Sequence, residues 1–264
     1  MSRERASCER SEQETVGGHS LRRSLQRYLR HQVDEVRRLS DPAYDDAERI
    51  HDLRVALRRI HSVLDGGDLR RYVGMTIRTL GAPRDVEVLG DVLLPRVTDP
   101  ADHALVRAIL DGRRDRAAAT AGTAHLDDLL HELDRALGSP ASAVRVRPPA
   151  KEVARLERLA DDAERHTGAA RWAGLHDVRK AAKRARYVAE ATPGSADGLV
   201  KELKALQEVL GDQHDLVVAA GVLRELGAAE PDGGLIRLAG ELEEDAEAKV
   251  PAYRAALAAV VAAA

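Results

Sequence analysis

His51-Asp-Leu-Arg54-Val-Ala-Leu-Arg58-Arg59 has a counterpart in His176-Asp-Val-Arg179-Lys-Ala-Ala-Lys183-Arg184 further along the chain, which keeps the His-Asp pair and the cations at the fourth, eighth and ninth places. In each copy the histidine and two cations stand at i, i+3 and i+7, one face of a helix. At about 100° per residue, Ile50, Leu53, Leu57, Ile60 and Leu64 form one apolar stripe. His51, Arg54, Arg58 and His61 share a separate arc of roughly 80°. The second copy repeats the wheel, with Leu175, Val178, Ala182, Ala185 and Ala189 as the stripe and His176, Arg179, Lys183 and Arg186 as the arc. Both arcs flank the stripe rather than oppose it. Cations opposite a core are bathed in water; cations beside it can line a cleft between packed helices, where less solvent screens an anion. A second shared block follows each copy: Leu80-Gly81-Ala-Pro-Arg84-Asp85, then Leu210-Gly211-Asp-Gln-His214-Asp215. One basic helix is most simply a solvated face; a duplicated one with matching downstream blocks points to a polyanion site.

The rest of the chain agrees with an all-α reading. The 264 residues contain no Phe, and aromatics make up 2%, so the core must be built from Leu, Val, Ile and Ala, which suits helices better than sheets. Helices are expected from Ser20 to about Leu39, then over the first motif up to Gly66-Gly67. Others should run through Leu80 and Asp85 to about Leu94, and from Pro100 to about Leu137. After a linker marked by Gly138-Ser-Pro-Ala-Ser and then Pro148-Pro149 the order recurs: helices over about 150–167 and 172–191, the Lys201–Asp215 block, and a last helix over about 232–261. The expected architecture is two tandem, pseudo-symmetric, roughly four-helix bundles, at about 19–138 and 150–261, sharing a central basic cavity. Residues 1–18, polar and Ser-rich, read as disordered.

Net charge is −3, which requires any basic site to be focused and balanced by acids elsewhere. Every cation before Lys151 is Arg, whose fixed fork of donors matches phosphate oxygens. One cysteine, Cys8, excludes an internal disulfide framework and a Cys-rich metal site. The start of the chain has no apolar signal region, and the Ala/Val-rich end is too short to span a bilayer, so a cytoplasmic protein without membrane attachment is expected.

These motifs resemble the CHAD family, the conserved histidine α-helical domain. The family pattern is a His-x-x-Arg-x-x-x-Arg-Arg helix, then Leu-Gly-x-x-Arg-Asp. Its second-half counterpart is His-x-x-Arg-Lys-x-x-Lys-Arg-x-Arg-Tyr and Leu-Gly-x-x-x-Asp, here His176 to Tyr187, then Leu210 to Asp215. The resemblance covers about 19–260. It implies a pair of helical bundles whose basic cavity binds inorganic polyphosphate. It also implies association with polyphosphate granules and with CYTH-type triphosphatases. Carried over by position, the polyphosphate-binding residues are His51, Arg54, Arg58, Arg59, Arg84, His176, Arg179, Lys183, Arg184, Arg186, Lys201 and Lys204, with Arg71 and Arg78 as looser candidates. The chain departs from the family in having His61 where an arginine is usual, which would weaken that corner or make it pH-dependent.

Asp52, Asp85, Asp177 and Asp215 are read as structural partners of nearby cations rather than catalytic groups. The two His-Asp dipeptides raise an enzymatic alternative, a metal phosphohydrolase of the HD class. Surrounding Arg and Lys disfavour a divalent cation there, and no Walker, Gly-x-Ser-x-Gly or His-Glu-x-x-His motif is present. Nucleic-acid binding lacks aromatic stacking platforms. A scaffold for an acidic protein is the remaining alternative. Binding without catalysis, cofactor or metal is the expectation.

Overall fold

The computed structural model describes residues 23–40, 47–64, 66–81, 83–121, 124–138, 148–194, 197–228 and 233–264. The disorder expected for 1–18 and most of the expected linker lie outside the described residues. Eleven helices and no strand occur among the described residues. They are α1 (23–39), α2 (Ala47–Val63), α3 (Gly67–Thr79), α4 (Pro83–Leu93), α5 (Pro100–Ala121) and α6 (Leu126–Gly138), then α7 (Pro149–Glu164), α8 (Gly168–Ala191), α9 (Asp197–Gly227), α10 (Gly234–Ala248) and α11 (Val250–Ala262). None of the described helices is long and apolar enough to cross a membrane.

The expected four helices per half are therefore corrected to six and five. The stretch through Leu80 breaks into α3 and α4, because Gly81 adopts a left-handed φ of 62°. A Cβ there would also lie 3.2 Å from the carbonyl oxygen of Ala117. Pro83 then opens α4, its missing N–H costing nothing in a first turn. The long stretch after Pro100 divides into α5 and α6. At its start, Asp99 Oδ1 accepts from the backbone N–H groups of Ala101 and Asp102 at 2.8 and 3.0 Å, capping α5. The expected last helix divides at Lys249, just ahead of Pro251. The Lys201–Asp215 block, by contrast, lies inside one 31-residue helix, α9.

Three apolar clusters hold these helices together. α1, α2, α3 and α6 enclose the first, around Leu53, Leu57, Ile60 and Leu129. α7, α8, α11 and the first part of α9 enclose the second, around Leu156, Leu175, Leu203 and Leu206. The third joins α4 and α5 to the second part of α9 and to α10, so helices from both sides of the linker share one core. Every residue of both motif stripes is buried, and each such Leu or Ile contributes roughly 1.5–3 kcal/mol. α2 packs against α8, and α4 against both α2 and α9. That arrangement sets the two motif helices side by side.

Candidate polyanion-binding cleft

Contact between the motif helices is made by charge as well as by apolar packing. Arg59 Nε on α2 donates to Glu190 Oε2 on α8 at 3.2 Å. Arg186 Nε lies 3.3 Å from the other oxygen of Glu190, without hydrogen-bonding alignment. Both guanidinium groups stand over the buried Tyr187 ring, at 5.8 and 5.0 Å, within cation–π range. Beside this junction a cleft of about 670 Å³ opens along α8. From His176 to Tyr187 its floor follows the helix for about 16 Å. α2 contributes Arg58, His61 and Ser62, and α3 contributes Arg70; Asp85 comes from α4 and His214 from α9. α7 closes the other side with Arg155 and Leu159.

The motif cations divide into two groups. Arg59, Arg84, Arg184 and Arg186 are held by carboxylates: Glu190 serves Arg59 and Arg186, Glu48 pairs with Arg84, and the buried Glu152 accepts from Arg184 Nε at 3.1 Å. Arg54, Arg58, Arg179 and Lys183 have no carboxylate within 4.0 Å among the described residues, yet all four are part-buried. Burial, reinforced by Arg179 and Arg58, pulls the Lys183 ammonium down to about 7. Burial and Arg58 lower Arg54 to about 10, which leaves it charged at neutral pH. Arg54 Nε and Arg179 Nε are both buried without an acceptor. Unpaired charges withdrawn from water are costly unless an anion compensates them.

The histidines behave differently. Burial, and then the neighbouring cations Arg70, Arg184 and Arg78, push His61 down to about 4. Burial and then His176 do the same to His214. His51 and His176 are also lowered, chiefly by burial. His61 is therefore neutral around pH 7 and weakens its corner rather than switching it. The His176 and His214 rings stack at 4.4 Å with 29° between planes. Burial raises Asp215, whose neighbours include Arg179 and Asp85. Asp177 pairs with Lys180 at 2.5 Å.

Of the residues expected from sequence, Arg58, His176, Arg179, Lys183 and Arg184 line the cleft, with Arg54 one turn before Arg58. His51 and Arg84 sit together near the start of α2 and α4, outside it. Lys201 and Lys204 are exposed on α9 and do not line it; Lys204 lies 3.8 Å from Glu208. Arg71 is exposed and paired with Asp68, and Arg78 is an exposed neighbour of His61. Arg70, Arg155, Lys180 and His214 line the cleft but were not among the expected residues. For Lys180 and His214 a signal existed, since one follows His176 by a turn and the other lies in the duplicated block. Gly211 on α9 faces the Arg179 guanidinium, which a Cβ there would meet at 3.9 Å, in ordinary van der Waals contact. A second cleft, of about 570 Å³ beside α9, is lined by Asp91, Asp212, Asp215 and Asp245 against Arg96 and Lys249, a net acidic set that suits an anion poorly.

A family model, the CHAD domain, matches residues 21–224. The chain belongs to the CHAD domain family. Two uncharacterized proteins of Mycobacterium tuberculosis, MT2285 and Rv2226, are each 30% identical over 74% of this CHAD chain and 44% of their own length. The chain thus spans less than half of these curated relatives. Among solved structures, the CHAD domain of the plant Ricinus communis superposes with a TM-score of 0.61 at 25% identity, covering 92% of this chain and 91% of that one. PptA from Streptomyces chartreusis shares the fold, with a TM-score of 0.66 at 20% identity over 90% of this chain and 97% of its own.

Proposed function

We propose that the chain binds inorganic polyphosphate in the cleft along α8 and performs no chemistry on it. The observation that carries this reading is the meeting of four part-buried, carboxylate-free cations, Arg54, Arg58, Arg179 and Lys183, drawn from both motif helices. Phosphate oxygens accept charge-assisted bonds from guanidinium and ammonium groups, each worth about 1.5–3 kcal/mol when well placed. A chain of linked phosphates satisfies several such groups at once and releases its counterions, so affinity falls with salt, as for nucleic acids. Membership of the CHAD family supports the same ligand. Among the described residues no three of His, Cys, Asp and Glu come together as metal ligands, so the phosphohydrolase alternative gains no support from them. Under this reading the protein is cytoplasmic and works at polyphosphate granules, or beside a CYTH-type triphosphatase or another polyphosphate enzyme.

Calorimetric titration of long-chain polyphosphate at near-physiological salt tests the assignment, with duplex DNA as a control. Tight binding by the wild type, weak binding of DNA, and loss of polyphosphate binding in Arg58→Glu/Arg179→Glu are expected. A charge-reversed variant that stays folded and binds as well as the wild type removes the cleft from consideration.

A further inference from the structure

Two rows of cations run along α8, and only one belongs to the arc described above. His176, Arg179, Lys183 and Arg186 form the row facing α2, α4 and α9. One residue on, Lys180 and Arg184 stand at i and i+4 and form a second row, turned by about 100° towards α7. The same cleft reaches this row and includes Arg155 of α7 and Arg70 of α3.

α7 is built to present that wall. Glu152, Arg155 and Leu159 stand at i, i+3 and i+7, one face of the helix. Glu152 is 2% exposed and accepts from Arg184 Nε at 3.1 Å, which locks this face of α7 against α8. Glu157, Asp161 and Glu164 of the same helix line a different groove, shared with α11. α7 thus turns Arg155 to the cleft, with Glu152 on the same face already taken up by Arg184, while its acids Glu157, Asp161 and Glu164 face the other groove. Arg155 is exposed and has no carboxylate within 4.0 Å among the described residues; Lys180 has only the exposed Asp177.

Resting on the polyphosphate reading, we propose that Arg155 and Lys180 form an outer subsite that engages the continuation of a phosphate chain whose leading phosphates fill the Arg58–Arg179–Lys183 cluster. A ligand of three phosphates occupies the inner cluster alone, whereas a long chain crosses α8 and reaches both rows. The outer row thereby selects for chain length.

The test compares tripolyphosphate with long-chain polyphosphate at fixed salt, by competition or calorimetry, on the full chain. Arg155→Gln/Lys180→Gln is expected to weaken long-chain binding by roughly two- to fivefold per site, the scale of exposed charge pairs, and to leave tripolyphosphate within about twofold. Charge reversal in Arg155→Glu roughly squares the single-site factor. Lys183→Met, which acts on the inner cluster, weakens both ligands. An outer double variant that binds long chains like the wild type, or that loses both ligands equally, overturns the subsite while leaving the inner assignment intact. Failure of the wild type to bind either ligand overturns both.

Discussion

Replacing Lys183 with Met should make the unliganded protein more stable and its grip on polyphosphate weaker. The ammonium titrates near 7 in the folded chain against 10.5 for a free side chain. At about 1.36 kcal/mol per unit, keeping the proton there at pH 7 costs on the order of 4 kcal/mol, a ceiling that water access and relaxation reduce. An apolar chain of similar length in place of a buried charge is accordingly expected to add about 1–3 kcal/mol, or about 2–4 °C in Tm per kcal/mol at this size. Between pH 7 and 10.5 the unfolded chain holds this proton more firmly than the folded one, so wild-type stability rises with pH through that window. The advantage of Lys183→Met is therefore largest at or below about pH 7 and shrinks towards pH 10. Phosphate oxygens in the cleft favour the charged form. Binding above pH 7 then draws a proton onto Lys183, and wild-type affinity falls as pH rises from about 6 to 9. Loss of one such contact weakens binding at pH 6 by about tenfold to a hundredfold, and the variant loses most of this pH dependence. Thermal unfolding across pH, paired with calorimetry in buffers of different ionisation enthalpy, measures both effects. A variant that is less stable without ligand, or that binds with unchanged affinity and pH profile, would refute the view of Lys183 as a charge held ready for an anion.

Three further expectations concern the frame that positions the cleft. Gly174→Ala places a Cβ 2.7 Å from the Cβ of Ala163 and 3.0 Å from its Cα; forcing α7 off α8 costs about 1–3 kcal/mol, read as a lower urea midpoint. Gly81→Ala meets both the left-handed φ and the Ala117 carbonyl and should lose about 1–2 kcal/mol; unchanged stability would show that the α3–α4 link rebuilds itself freely. Glu152→Ala strands Arg184 against α7 and should cost about 3 kcal/mol or more, while Glu152→Gln, which keeps an acceptor, costs less.

The motif helices were legible because their pattern is local. Ile50 to Leu64 and Leu175 to Ala189 fall on stripes that are buried throughout, and the flanking arcs are part-buried as their position beside the stripe required. Several helix ends were not read correctly although signals were present. Pro251 stands at a real break, but the apolar periodicity on either side is nearly continuous and masked it. The third core, which joins α4 and α5 to α9 and α10, has no local signature, since each helix offers only an apolar face with no mark of its partner. The same holds for Arg70 and Arg155. Neither belongs to a repeated motif, and both reach the cleft through the packing of α3 and α7 around α8. Lys201 and Lys204 show the converse, for their place in a motif did not put them at the cleft.

What composition could not supply is which cations are free. A net charge of −3 makes the chain look unremarkable for a polyanion binder, yet the acids are not simply spread elsewhere. Glu190 is shared between Arg59 and Arg186 where α2 meets α8, and Glu152 pairs with Arg184 where α7 meets α8. These pairs commit Arg59, Arg184 and Arg186 to holding the helices around the cleft in register. Arg54, Arg58, Arg179 and Lys183 are left without that service. Their cost falls on the unliganded protein, and the walls that carry them are fixed by pairs and apolar cores that need no ligand. The cleft can therefore stand open and charged before an anion arrives, which is preorganisation: the electrostatic penalty is met by the stability of the fold, and the ligand, on binding, recovers it.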